Sequence, residues 1–167
     1  LGELNMSELL VTMGISGSGK STLAKSFEQI GYLRVSMDEL RKWYTGNISD
    51  QTQNSRVAGT AFAITDFLLR KDQNVLFDST AIRSDTRSKL LKIAREIGAK
   101  TKLIIMIDSL DTELCRARVS KDINLGLDRS DTATDLSIID RQASVFKDAL
   151  KKVESEGWDV IQKTGGN

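Results

Sequence analysis

Residues 14–21 read Gly-Ile-Ser-Gly-Ser-Gly-Lys-Ser, and they stand between an apolar run and a stretch with helical spacing. The apolar run Leu9–Met13 predicts a buried strand, and Leu23–Ile30 predicts a helix that ends at Gly31. Glycines let successive backbone N–H groups point at one anion, and the N-terminus of the next helix adds positive charge. The pattern G-x-x-x-x-G-K-[ST] in this context predicts a phosphate-binding loop (P-loop).

The rest of the chain continues to alternate strands with amphipathic helices. Further strands are predicted at Tyr32–Met37, Asn74–Phe77, Lys102–Ile107 and Trp158–Ile161. Helices are predicted at Asp38–Tyr44, Arg56–Lys71, Ser84–Ile97 (capped by Ser84 and ended by Gly98), Asp111–Lys121 and Leu136–Val153. This alternation predicts an α/β fold with a parallel five-stranded sheet and helices on both faces. We expect one domain over residues 1–167, with Asn47–Ser55 as a loop and a polar segment at about 119–134 as a lid.

Composition excludes several kinds of chemistry. The chain has no histidine, which excludes Ser-His-Asp triads, Cys-His proteolysis and zinc bound by histidine. The single cysteine, Cys115, allows no internal disulfide and favours a reducing, cytoplasmic location. A net charge of +1 gives no global field for nucleic acid, so any polyanion must bind a local patch. No targeting or membrane-spanning segment is apparent, and we expect Met6 to be the native start, with residues 1–5 a cloning remnant.

The loop itself predicts a nucleoside triphosphate and Mg²⁺. Lys20 is placed to reach the β- and γ-phosphates, and the hydroxyl of Ser21 is placed to bind the metal. The predicted nucleotide-binding residues are Gly14, Ser16, Gly17, Ser18, Gly19, Lys20, Ser21 and Thr22. Three classes of protein fit: a small kinase, a GTPase or ATPase switch, and a motor module. The sequence lacks an Asn-Lys-x-Asp segment and is short for a motor, and a polar segment before its last helix suits a kinase lid.

Three strands end at an aspartate: Asp38, Asp78 and Asp108. In a parallel sheet these side chains share the ligand-binding edge with the P-loop. If Asp38 begins a helix, Arg41 lies on a nearby face, so the carboxylate can take a proton from an acceptor hydroxyl while the guanidinium holds a phosphate. The alternative is that Asp38 is only a helix N-cap.

Several segments resemble the polynucleotide 5′-kinase family, including bacteriophage polynucleotide kinases and the kinase module of bacterial polynucleotide kinase-phosphatases. The similar segments are the P-loop Gly14–Thr22, Ser36-Met-Asp-Glu-Leu-Arg41, Asp50-Gln-Thr52, Ala58-Gly-Thr-Ala-Phe62, Phe77-Asp-Ser-Thr80 with the downstream Arg87, and Glu113-Leu-Cys-Arg-Ala-Arg118. Together they extend from about Leu9 to Ile161. The resemblance implies an adenylate-kinase-like P-loop NTPase fold and transfer of the ATP γ-phosphate to the 5′-hydroxyl of RNA or DNA, with GTP also open as donor.

The resemblance also implies roles for single residues. Asp38 is then the general base, Arg41 binds the phosphate 3′ of the first nucleoside, and Arg118 is the first lid arginine. Thr80, Arg83 and Arg87 are candidate acceptor contacts, with a solvent-exposed surface role as the alternative for Arg83.

The sequence departs from the family pattern at several positions. Asp122 stands where the second lid arginine is expected, and Arg129 is the candidate substitute, with an exposed loop charge as its alternative. Val119 replaces an asparagine of the lid helix, and Ala81 replaces the asparagine of the Asp-x-Thr-Asn segment.

Other candidate residues keep two interpretations each. Asp78 is a candidate Mg²⁺ ligand, either directly or through water, or it only orders its loop, whereas Asp108 is expected to end a strand. Trp43 and Tyr44 are expected either to stack on a base or to pack against the protein, and Cys115 is expected to be buried. For the whole chain, two alternatives to a polynucleotide kinase stay open: a small-metabolite kinase (nucleoside, antibiotic or nucleotide-sugar) and a nucleotide-binding regulatory module.

Overall fold

A five-stranded parallel sheet with helices on both faces forms the protein, as a computed structural model describes it for residues 4–127 and 136–165. The strands are β1 (Glu8–Met13), β2 (Leu33–Ser36), β3 (Val75–Asp78), β4 (Lys100–Met106) and β5 (Val160–Thr164). The helices are α1 (Lys20–Gln29), α2 (Met37–Thr45), α3 (Asn54–Arg70), α4 (Ser84–Ile97), α5 (Thr112–Asn124) and α6 (Ile138–Leu150). The strand order is β2-β3-β1-β4-β5, which confirms the predicted sheet.

The central strand β1 is buried on both faces, which explains its continuous apolar sequence. Leu9 and Val11 pack into the larger core, to which α3, α4, α5 and α6 contribute. Leu10 faces the opposite way, into a smaller core that includes Ala24 of α1. Because alternate residues of a strand point to opposite faces, one apolar run serves both cores.

The register of the sheet aligns the strand ends that carry the site. Strand β1 pairs with both β3 and β4, and Ser36 at the end of β2 stands opposite Asp78 at the end of β3. The chain turns directly from β2 into α2, so the first turn of that helix lies beside Asp78. The edge predicted to bind ligand therefore holds the P-loop and the start of α2 together.

Neither Asp38, the alternative N-cap for α2, nor Ser84, the predicted N-cap for α4, stands at the cap position. Ser36, not Asp38, is the N-cap of α2, and its hydroxyl accepts a hydrogen bond from the Glu39 N–H at 3.3 Å. Ser84 is the first residue of α4, which Arg83 precedes without a side-chain cap. Gly98 ends α4 as predicted, and Gly46 ends α2; both glycines adopt the left-handed conformation that favours glycine.

The boundaries of other segments also differ from prediction. The segment predicted as a loop before α3 contains a 3₁₀ turn at Gln51–Gln53, and α3 itself begins at Asn54. Helix α5 continues to Asn124, so the first part of the predicted lid is helical, and residues 128–135 lie outside the described residues. Strand β5 begins at Val160, two residues later than predicted, because Trp158 is buried in the core ahead of the strand.

Candidate functional site

A cleft of about 1770 Å³ lies at the carboxyl ends of the strands. The sequence-predicted residues that line it are Ser16, Gly17, Ser18, Gly19, Lys20, Ser21, Thr22, Asp38, Arg41, Asp78, Thr80, Arg83 and Arg118. Gly14 does not line the cleft, but its N–H donates a hydrogen bond to the carbonyl of Thr80, a lining residue, at 3.0 Å. The structure therefore brings the predicted nucleotide and acceptor residues into one cavity. Arg129 lies outside the described residues.

Glycine is required in the P-loop for two reasons. Gly17 and Gly19 have φ values of 81° and 97°, a region that side chains disfavour. A Cβ on Gly17 would also stand 2.5 Å from the carbonyl oxygen of Cys115, so a side chain there would collide with the backbone of α5. The loop ends at the N-terminus of α1, which no side chain caps, so the positive end of the helix faces the cleft. These are the features of an anion site.

The ammonium group of Lys20 lies inside the loop. Its Nζ donates to the carbonyl oxygens of Gly14 at 2.9 Å and Ile15 at 2.7 Å. The next residue, Ser21, is exposed in the first turn of α1 and lines the cleft. Triphosphate oxygens that enter the loop would meet both groups, as the P-loop pattern predicts.

The protein ligands available at this edge of the sheet fit Mg²⁺ better than a metal that is bound by several protein side chains. Among the described residues, no group of three or more His, Cys, Asp or Glu side chains could hold a metal. Mg²⁺ keeps several waters and binds through one or two protein oxygens together with substrate phosphates. The Ser21 hydroxyl would supply one such oxygen, and the ion would neutralise charge on the triphosphate.

Two loop contacts come from residues far away in the sequence. The N–H of Ile15 donates to Ser109 Oγ at 3.1 Å, and the N–H of Ser16 donates to Gln142 Oε1 at 2.9 Å. Ser109 follows β4, and Gln142 lies on α6. Sequence reasoning missed both residues, because no local pattern marks a contact that only the tertiary fold creates.

Asp38 and Arg41, which their spacing predicts on nearby faces of one helix, form an ion pair. Arg41 Nη1 lies 2.8 Å from Asp38 Oδ1, and Arg41 Nε donates to Asn54 Oδ1 at 3.0 Å. Arg41 is only 7% exposed, whereas about half of the Asp38 side chain is accessible. The guanidinium is thus fixed by two partners while the carboxylate faces the cleft. Asn54 was not predicted, because it lies on a different helix.

Asp78 is neutralised by Arg34, a residue that sequence reasoning overlooked. Both Nε and Nη2 of Arg34 contact Asp78 Oδ2, with Nε at 2.8 Å. Burial of Arg34 lowers its pKa, but the charge and hydrogen bond of Asp78, together with the charges of Glu28 and Glu39, raise the pKa overall. Direct binding of Mg²⁺ by Asp78 stays a prediction, and it would compete with this ion pair.

Arg118 ties α5 to the P-loop. Its Nη1 donates to the carbonyl of Gly17 at 3.1 Å and to Asp108 Oδ2 at 2.8 Å. Asp108, expected only to end β4, therefore also orients this arginine. Asp122, which stands in place of the second lid arginine, lines the same cleft with its carboxylate.

The family model for an AAA domain (AAA_33) matches residues 9–161. The chain belongs to this family. The match runs from the second residue of β1 to the second residue of β5, so it contains every predicted site residue. No curated protein matches the sequence.

Solved structures share the fold of this AAA domain at low identity. A chain of the Pnkp1/Rnl/Hen1 RNA repair complex is 21% identical and has a TM-score of 0.75, with 90% of this chain and 47% of that chain aligned. The chain thus spans about half the length of that relative. The PezAT toxin-antitoxin structure of Streptococcus pneumoniae gives 16% identity and a TM-score of 0.64, with 97% of this chain and 70% of the other aligned.

The APS kinase CysC of Mycobacterium tuberculosis is a further structural neighbour. It is 16% identical, with a TM-score of 0.51 over 87% of this chain and 98% of that one. The family match and these neighbours establish the P-loop kinase fold, with the adenylate-kinase-like arrangement that the resemblance implied. Among the described residues, no helix of the AAA domain is long and apolar enough to cross a membrane.

Arg87 is not an acceptor contact in the AAA domain. Its side chain is buried, with Nη1 donating to the carbonyls of Ala81 at 2.9 Å and Ile82 at 2.8 Å. Its Nη2 forms an ion pair with Glu156 at 2.7 Å. The prediction is wrong because the guanidinium points into the protein, where it holds the loop that follows β3. Arg83 does reach the mouth of the cleft, paired with Asp85 at 3.1 Å.

Trp43 and Tyr44 lie outside the cleft, on the solvent side of α2 and α3 in the AAA domain. Tyr44 packs edge-to-face against Trp43, and its hydroxyl is 2.7 Å from Thr60 Oγ1. Of the two interpretations, surface packing therefore describes Tyr44, while Trp43 stays largely exposed. Cys115 is buried as predicted, and this burial raises the pKa of its thiol.

Proposed function

We propose that this AAA domain is a polynucleotide 5′-hydroxyl kinase that transfers the ATP γ-phosphoryl group to a 5′-hydroxyl end of RNA or DNA. The observation that carries the proposal is the Asp38–Arg41 pair, which lies in the same cleft as the P-loop with the carboxylate accessible. The sequence resemblance at Ser36–Arg41 supports it, as does the structural likeness to a chain of an RNA repair complex.

The acceptor binds where Asp38 and Arg41 meet the cleft. Arg41 has no partner for its Nη2 atom among the described residues, so that edge of the guanidinium can receive a phosphate of the acceptor strand. The Asp38 carboxylate orients the 5′-hydroxyl and takes its proton. The hydroxyl oxygen forms a bond to the γ-phosphorus as the bond from that phosphorus to the β–γ bridging oxygen breaks, and ADP leaves.

The donor side supplies charge and position. Lys20 and the N-terminus of α1 hold the β- and γ-phosphates, and Arg118 places a cation beside Gly17 of the loop. Bound Mg²⁺ would supply further neutralisation of the transferring group. Catalysis then consists mainly of positioning and charge neutralisation.

The proposal is tested by transfer of label from γ-labelled ATP to 5′-hydroxyl RNA, 5′-hydroxyl DNA and free nucleosides in parallel reactions. Label on an oligonucleotide supports the proposal. Label on a nucleoside alone indicates a small-metabolite kinase, and release of free phosphate alone indicates a regulatory module with weak hydrolysis.

We expect Asp38→Asn to reduce transfer at least 100-fold while ATP affinity changes little, because a general base contributes about 10²–10⁴-fold. The matched control is Asp66→Asn, since Asp66 also forms an ion pair with an arginine of its own helix but lies outside the cleft. Full activity in Asp38→Asn would remove this residue as the base.

A further inference from the structure

The cleft continues beyond Asp38 and Arg41 to a wall formed by α3 and α4. Phe62 of α3 stacks on Phe77 of β3, with ring centroids 5.7 Å apart and an interplanar angle of 6°. The Lys89 ammonium from α4 lies 5.5 Å from the centroid of the Phe62 ring. Phe62, Phe77 and Lys89 all line the cleft. Helix α3, which carries Phe62, packs against α2, the helix of Asp38 and Arg41.

Charge distinguishes Lys89 from the other basic residues on this side. Each of the three guanidinium groups here is paired with a carboxylate: Arg34 with Asp78, Arg41 with Asp38, and Arg83 with Asp85. Lys89, in contrast, has no carboxylate within 4 Å among the described residues. Glu39 acts on Arg34, and Asp85, whose ion-pair partner is Arg83, also interacts with the charge of Lys89 at longer range.

The surroundings of Lys89 keep its charge available to a ligand. A ring face attracts an ammonium group only weakly at an exposed site, so Phe62 holds the cation without neutralising it. The flexible stem of lysine can then move the charge to an anion that enters the cleft. Arg41 can bind the phosphate of an acceptor that carries only one. Lys89 has a binding partner only when the acceptor carries a second negative group.

We infer that Lys89 binds a phosphate of the acceptor strand beyond the one held by Arg41, and so makes the site select a polynucleotide over a single nucleotide. This inference rests on the proposed function and names the feature of its substrate that the site recognises. Lys89 is a specificity residue in this scheme and takes no part in the transfer of the phosphoryl group.

The test compares the binding of two ligands in the presence of a non-hydrolysable ATP analogue and Mg²⁺. One is a 5′-hydroxyl hexanucleotide, and the other is a nucleoside 3′-monophosphate, which carries the first phosphate alone. We expect the wild-type protein to bind the hexanucleotide more tightly. In Lys89→Ala the ratio of the two affinities should fall about fivefold, as expected for one exposed charge pair. The salt dependence of hexanucleotide binding should also fall, by about 0.7 in log–log slope.

Two variants serve as controls, one at position 89 itself and one elsewhere on α4. Lys89→Arg keeps the charge and should keep the ratio. Lys92→Ala removes a lysine of α4 that lies outside the cleft and pairs with Glu96 at 3.9 Å, and it should leave the ratio at the wild-type value. Thermal denaturation of each variant establishes that it is folded.

Three outcomes would overturn the inference: equal ratios in Lys89→Ala and the wild type, equal losses for both ligands, or a wild type that binds the hexanucleotide no better than the nucleotide. Phosphoryl transfer is measured separately on the same samples. A protein that binds the hexanucleotide through Lys89 but phosphorylates no acceptor would contradict the proposed function and leave the inference standing.

Discussion

At the scale of single residues, the site depends on an arginine that is buried before any substrate binds. A buried cation is costly unless it is paired, and Arg41 meets this requirement through Asp38 and Asn54. Asn54 contacts Nε and Asp38 contacts Nη1, so the two partners fix both the position and the orientation of the guanidinium plane. The planar arrangement is what lets an arginine bind a phosphate through two hydrogen bonds.

Arg41→Lys keeps the positive charge but removes this planar arrangement. A lysine cannot contact Asp38, Asn54 and a phosphate in the same way, so we expect the KM for oligonucleotides to rise about tenfold with a smaller change in kcat. Initial rates at varied oligonucleotide concentration measure the two constants. Arg56→Lys, on the surface of α3 outside the cleft, is the matched control. An unchanged KM in Arg41→Lys would exclude a role in holding the acceptor.

The residues that could be predicted from sequence are those whose chemistry is local. The P-loop and the Asp38–Arg41 pair depend on spacing along one segment, and the structure has both as the sequence suggests. Asn54 and Gln142 act on these groups across 13 and 126 residues, and nothing in their own segments marks them. Arg87 was misassigned because burial, which decides its role, is a property of the fold.

At the scale of elements, α2 links the sheet to the acceptor side of the cleft. Strand β2 ends at Ser36, and this residue both pairs in register with Asp78 and caps the helix that carries Asp38. A capped first turn holds Asp38 at a fixed angle to the sheet. The sequence predicted the strand and the helix and offered Asp38 as an alternative cap, because serine and aspartate are both favoured there.

Removal of the cap should weaken the fold. We expect Ser36→Ala to lower the free energy of unfolding by about 1 kcal/mol, since the Glu39 N–H loses its partner. Urea denaturation at pH 7 measures the change. Ser88→Ala is the control, because Ser88 is exposed inside α4, where alanine is the better helix former and should raise stability by a few tenths of a kcal/mol. Equal effects of the two substitutions would exclude Ser36 as the cap.

At the scale of the whole molecule, one buried ion pair connects segments that lie far apart in the chain. Arg87 binds the carbonyls of the loop after β3, whose residue Thr80 accepts the N–H of Gly14. Its partner Glu156 stands ahead of β5 and also accepts from the Trp158 indole at 3.0 Å. The C-terminal segment therefore supports the loop that contacts the P-loop. The alternation of elements predicted a parallel sheet, but it gave neither the strand order nor this link, since Glu156 has no distinctive sequence context.

The ion pair predicts how stability depends on pH. Burial opposes ionisation of Glu156, but hydrogen bonds from Arg87 and Trp158 and the charges of Arg87 and Lys152 together lower the pKa of the carboxyl below the ordinary value of 4.5. A group whose pKa is lower in the folded state stabilises the protein above its unfolded pKa and loses this effect as the pH falls through the folded value. The contribution of Glu156 should therefore be complete at pH 7, begin to decline near pH 4.5 and be lost as the pH falls through the lower folded pKa.

Glu156→Gln isolates this contribution, because it removes the charge and keeps a hydrogen-bond acceptor. We expect the variant to lose about 2 kcal/mol at pH 7, less than for a fully buried pair because Glu156 keeps some contact with solvent. Its stability should also decline less steeply than that of the wild type as the pH falls from 7 to 3, so the two curves converge in acid. Glu154→Gln, an exposed acid two residues away, is the matched control and should follow the wild-type curve. Parallel curves for Glu156→Gln and the wild type would mean that the charge of Glu156 does not hold Arg87 in place.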